Sequence, residues 1–123
     1  MIVVDTAVWI DHLRGAETRL SPLLHDNQVL VHPMVVGELA CGHLRNRAEV
    51  LRLLGELPPA PVADDQEVLA FIEHHRLMGC GIGYIDAHLL AATAIAASAH
   101  LWTIDQRLMK VAVDLGLSKY RPD

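Results

Sequence analysis

Gly83-Tyr84-Ile85-Asp86-Ala87-His88-Leu89-Leu90-Ala91-Ala92-Thr93-Ala94-Ile95-Ala96 is the stretch whose reading decides the fold. Together with its flanks it places Ile82, Ile85, Leu89, Ala92, Ala96 and Ala99 at intervals of three or four residues, the period of a helix laid against a core. Asp86 stands in the first turn, beside that apolar stripe and not opposite it. His100-Leu101-Trp102-Thr103 follows as a short strand-like run, with Asp105 two residues beyond.

Upstream, Ile2-Val3-Val4 is β-branched throughout and suits a strand buried on both faces. Asp5-Thr6 ends it and can cap a helix from Ala7 to Arg14 that Gly15 closes. A short helix is expected within Glu17 to Asp26, starting near Ser21 because Pro22 suits a first turn. Gln28 to Val31 reads as the second strand. Pro33 opens a helix from Met34 to Leu44, and Arg47 to Leu54 is helical too, either separate or a bent continuation.

Pro58, Pro59 and Pro61 make a connection, with Pro61-Val62 as a very short strand. Asp64-Asp65-Gln66-Glu67 caps a helix carrying Val68, Phe71, Ile72 and His75 on one face. Gly79, Gly81 and Gly83 link it to the opening stretch. A last helix runs from Gln106 to Leu115, then comes the Gly116 stop and a polar tail. Short strands alternating with helices mean an α/β fold, a mostly parallel sheet covered on both faces. Sites on such sheets form beyond the carboxyl ends of the strands, where strand order reverses. Were the first and last strands neighbours there, Asp5 and Asp105 would emerge side by side.

The 123 residues suit one domain over 1–123. Half the chain is apolar, 52%, so it folds and is not disordered. A net charge of −5 excludes a protein that grips nucleic acid by bulk positive charge, though acidic metal ligands inflate that count. Neither a leader nor a membrane helix is apparent, which points to a soluble, cytoplasmic protein without membrane association. Cys41 and Cys80 have no zinc-type spacing and read as small buried hydrophobes in a reducing setting.

Each acid has a plain structural explanation when taken singly: Asp5 and Asp105 can be helix caps, and Asp86 suits the helix dipole. Glu38 is harder to dismiss. Val35, Val36, Leu39 and Ala40 surround it, no Lys or Arg lies three or four residues away, and an unpaired buried carboxylate is costly. Four carboxylates brought together would repel and raise one another's pKa. A hard divalent cation relieves that, and oxygen-only ligands select Mg²⁺ or Mn²⁺ over zinc. The chemistry such a centre serves is phosphodiester hydrolysis. Thr6 and Thr103 can orient the acids, or else serve as cap and strand former. Trp9 and Trp102 read as core or subunit-contact residues, and the eight histidines as ordinary surface or core residues.

Val3-Val4-Asp5-Thr6, Val36-Gly37-Glu38-Leu39, the Asp86 block and Thr103-Ile104-Asp105 come in an order that resembles the PIN-domain nucleases, in particular the VapC toxins of type II toxin–antitoxin modules. The resemblance implies a PIN-like three-layer fold and a Mg²⁺- or Mn²⁺-dependent endoribonuclease acting on transfer or ribosomal RNA. It also implies a homodimer and a VapB-type antitoxin whose C-terminal segment fills the acidic groove. By position, Asp5, Glu38, Asp86 and Asp105 would be the catalytic and metal-binding quartet, with Thr6 and Thr103 supporting. Gln106-Arg107-Leu108 depart from the family, which often has a further acid and an aromatic there; Arg107 is then placed to touch substrate or to pair with an acid. The competing reading is an aspartate-based phosphotransfer domain, of receiver or haloacid-phosphatase type. The phosphatase pattern wants a second Asp where Ala7 stands, and neither type has a use for Glu38. A non-catalytic RNA-binding module would call for a cationic surface instead.

Overall fold

The computed structural model describes residues 1–118. Ile2–Val4 forms β1, and all three side chains are buried. β2 (Val29–Leu30) pairs with it on one side and β3 (His100–Trp102) on the other, both parallel, so the order is β2-β1-β3. Val3 and Leu101 are fully buried partners at the centre of the sheet. Seven helices accompany these strands among the described residues: α1 (Thr6–Leu13), α2 (Leu20–His25), α3 (Pro33–Ala40), α4 (Arg47–Leu54), α5 (Asp65–His75), α6 (Tyr84–Ile95) and α7 (Gln106–Asp114). The α/β class is as read from the alternation, with all strand pairs parallel.

Several boundaries moved. α2 begins at Leu20, ahead of Ser21, which still leaves Pro22 in the first turn where no intrahelical N–H is required. α3 stops at Ala40 and not Leu44, with Gly42 close behind it. α4 is a separate helix, because Asn46 adopts a left-handed conformation, φ 53°, and breaks the chain direction. The expected strand at Pro61-Val62 is replaced by a single parallel bridge, Val31 to Pro59. Val31 donates to Pro58 O and Ala60 donates to Val31 O, and Pro59 has no N–H with which to extend the ladder. The polar tail lies, beyond Ser118, outside the described residues.

α6 departs most from its periodicity. Ala87 through Thr93 are all buried, so the helix is enclosed on every side through its middle and is not amphipathic there. Leu89, Leu90 and Ala92 join the main core with Val3, Leu101 and Leu108. Ala87 and Ala91 face the opposite way, packing with Ala63 and Val68 where α5 lies against α6. The small alanines allow that close approach, and the Thr93 hydroxyl is satisfied by Leu89 O at 2.7 Å.

Trp9 is 3% exposed and Trp102 4%, so both belong to the chain's own core, and Trp9 is not free to anchor a second copy. Cys41 and Cys80 are exposed thiols, contrary to the burial tendency of cysteine: one caps the open end of α3 and the other lies in the glycine link. No helix among the described residues is long and apolar enough to cross a membrane.

Among the described residues His32 is the most heavily buried ionisable side chain. It N-caps α3, its Nδ1 accepting the Met34 N–H at 3.0 Å, and its ring stands 6.0 Å from that of buried His88. Burial, with His88 adding to it, pushes the His32 pKa down to about 4. The unfolded chain therefore binds this proton more tightly, and the contribution to stability is present above the ordinary pKa and lost as pH falls through 6.5 towards 4. Urea unfolding should show wild type losing roughly 3 kcal/mol more than His32→Asn over that range, since Asn keeps the cap without the titration.

Candidate active site

Asp5 follows β1 in an extended conformation, φ −69° and ψ 155°, and its Oδ1 accepts the Thr6 N–H at 2.8 Å. Because β1 and β3 run parallel with Val4 opposite Trp102, the residues after both strands leave the sheet at the same edge. Thr103 is thereby set against Asp5. Its hydroxyl donates to Asp5 Oδ2 at 2.7 Å and accepts the Asp105 N–H at 3.0 Å. Asp105 itself N-caps α7, its Oδ1 accepting from Leu108 N at 3.0 Å. One buried threonine thus couples two acids that are far apart in sequence.

Glu38 arrives from α3, which packs on α1. The Thr6 hydroxyl donates to Glu38 Oε1 at 2.5 Å. Glu38 is exposed, however, and the cost-of-burial argument made from its neighbours does not apply to it. Val35 and Leu39 form the buried line of this short helix, and Glu38 falls on the flank of that line.

Asp86 is half-buried in the first turn of α6, its Oδ2 accepting the Gly83 N–H at 2.9 Å. Gly83 is the N-cap but has no side chain to contribute, so only the half of a capping box that runs from Asp86 back to Gly83 exists. The spacing Gly83-Tyr84-Ile85-Asp86 carries that signal in the sequence.

The four acids share one electrostatic neighbourhood. Burial drives the Asp5 pKa upward, the Thr103 hydroxyl and Thr6 N–H oppose it, and Asp86 and Glu38 add smaller upward pushes. Asp86 is likewise raised, first by burial, against the Gly83 N–H, with Asp105 and Glu38 contributing as like charges. Mutual repulsion was the expected cause; burial is the larger one. Among the described residues no three His, Cys, Asp or Glu side chains close on a common point at metal-binding range. Asp86, Asp105 and Glu38 each spend one oxygen on a hydrogen bond, and the other has no partner among the described residues. This all-oxygen set is the chemistry of a hard divalent ion, and these four residues are the ones that could hold it.

No histidine hydrogen-bonds to or pairs with these acids among the described residues. His32 Nδ1 is an acceptor from Met34, so in the neutral ring Nε2 carries the proton and offers no lone pair to a metal. Arg107, in the first turn of α7, forms no ion pair with any of the four acids.

The family model described as the PIN domain matches residues 2–114. The chain belongs to the PIN-domain family. Among relatives of this PIN domain are ribonuclease VapC32 from Mycobacterium tuberculosis strain CDC 1551 / Oshkosh and ribonuclease VapC32 from strain ATCC 25618 / H37Rv. Each is 45% identical over 118 residues, covering 96% of this chain and 95% of the relative. The match takes in the whole span from Asp5 to Asp105, every residue of the acidic edge of this PIN domain.

A raised carboxyl pKa in the fold means that the ionised form is disfavoured: the stability it confers is present at low pH and is lost as pH rises through the folded pKa. Metal-free Asp86→Asn, which keeps an oxygen for the Gly83 N–H, should melt about 2–4 °C above wild type at pH 7, with the gain shrinking towards pH 4. Calorimetry at the two pH values checks this.

Proposed function

We propose that this PIN domain, read as a single domain over 1–123, is an endoribonuclease and the toxin of a VapBC-type toxin–antitoxin pair. The observation that supports the reading is that Asp5, Glu38 and Asp105 are linked through Thr6 and Thr103, with Asp86 close enough to act on Asp5 as a like charge. The 45% identity to a ribonuclease supports it. A phosphotransfer domain is not supported by a PIN-family chain.

Asp5, Glu38, Asp86 and Asp105 would hold a Mg²⁺ or Mn²⁺, which supplies Lewis acidity and makes water a better nucleophile at a phosphodiester. The chain's own part is to position. Thr103 fixes the Asp5 carboxylate and, through the Asp105 N–H, the start of α7. Thr6 fixes Glu38, which as an exposed acid would otherwise sample many rotamers. Gly83 holds one oxygen of Asp86 and leaves the other available. The raised pKa of Asp5 and Asp86 keeps both carboxyls ready to take up a proton or a cation. The substrate is RNA, transfer or ribosomal. The protein acts in the cytoplasm, away from membranes, as a homodimer held in check by a VapB-type antitoxin.

RNA cleavage assayed with Mg²⁺ and after chelation tests this reading. Cleavage should require the metal and fall by more than about 100-fold in Asp5→Asn and Asp86→Asn with the fold intact by circular dichroism. Metal-independent cleavage, or full activity in both variants, rejects the quartet. Thr103→Val keeps strand propensity and removes the hydroxyl, and should cost about 10–100-fold in the same assay.

A further inference from the structure

Gly81 lies in the link before α6 with φ +81°. A Cβ there would meet Arg107 Cδ at 2.6 Å, with Nη1 at 3.1 Å and Nε at 3.2 Å. The Arg107 side chain therefore lies directly on bare Gly81 backbone, where the positive φ by itself calls for glycine. Arg107 is two residues past Asp105, and Gly81 two residues before Gly83, whose N–H holds Asp86. The guanidinium thus spans the two chain segments that present Asp105 and Asp86. It is exposed, and among the described residues it has neither an ion pair nor a hydrogen-bond partner. A flexible arginine beside acids ordinarily finds one; this one lies along Gly81 with its donors unspent.

We propose that Arg107, laid along Gly81 beside the acids, binds a backbone phosphate of the RNA flanking the scissile one. The proposal rests on the ribonuclease reading and deepens it. A polyanion approaching four carboxylates on a chain of net charge −5 is repelled, and a cation fixed at the rim offsets that where the strand enters. Arginine suits the task because its planar fork grips two phosphate oxygens at once, which a lysine cannot do.

The test uses the full chain and a single-stranded RNA that wild type cleaves. Arg107→Ala should raise KM about 10-fold while kcat stays within about 3-fold, and Arg107→Lys should recover part of the KM. In an Asp86→Asn background, which stops cleavage, Arg107→Ala should lower the slope of log affinity against log salt by about 0.7. An unchanged KM and salt slope in Arg107→Ala overturns the phosphate contact. RNA left intact by wild type with Mg²⁺ overturns the ribonuclease reading itself, and the contact with it.

Discussion

The parallel pairing of β1 with β3 is the constraint from which the rest of this molecule follows. Each strand is only three residues long, so its few hydrogen bonds would not survive in water alone. Burial keeps them together: Val3, Val4 and Leu101 are sealed between helices, and α6 lies against β3. Only in that register does Thr103 fall beside Asp5, closing a hydrogen bond across 98 residues of sequence. The order β2-β1-β3 makes β1 the point where successive connections leave in opposite directions, and the acids gather outside its carboxyl end.

Three of the four acids begin helices: Asp5 before α1, Asp105 before α7, and Asp86 within the first turn of α6. The partial positive charge at a helix N-terminus favours a carboxylate there, which is one reason the fold tolerates several so close together. Capping and chemistry are therefore not rival explanations for these residues. A carboxylate has two oxygens, and capping occupies one of them at Asp86 and at Asp105. The remaining cost shows in the raised pKa of Asp5 and Asp86, which burial imposes more than neighbouring charge does.

Glu38 and Arg107 show how far neighbours in sequence mislead. Apolar residues on both sides of Glu38 suggested burial, yet an eight-residue helix buries a narrow line, and a residue one step off that line reaches solvent. Arg107 read as a residue that would touch substrate or pair with an acid. That it lies instead along a glycine in a distant link is a matter of tertiary packing.

Local chemistry alone determined the α/β class, the turn glycines, the caps at Asp5, Asp64 and Asp105, and the four acids as a group worth examining, because each depends on residues within a few positions of one another. Boundaries slipped by a few residues where proline or asparagine conformation decided them, as at Asn46 and Pro59. Burial was read less well: α6 is enclosed in its middle, and Cys41 and Cys80 are exposed, because burial is set by what packs on an element and not by its own period. Which carboxylate meets which hydroxyl was decided only by the tertiary structure, since strand register and helix packing join residues that nothing local connects.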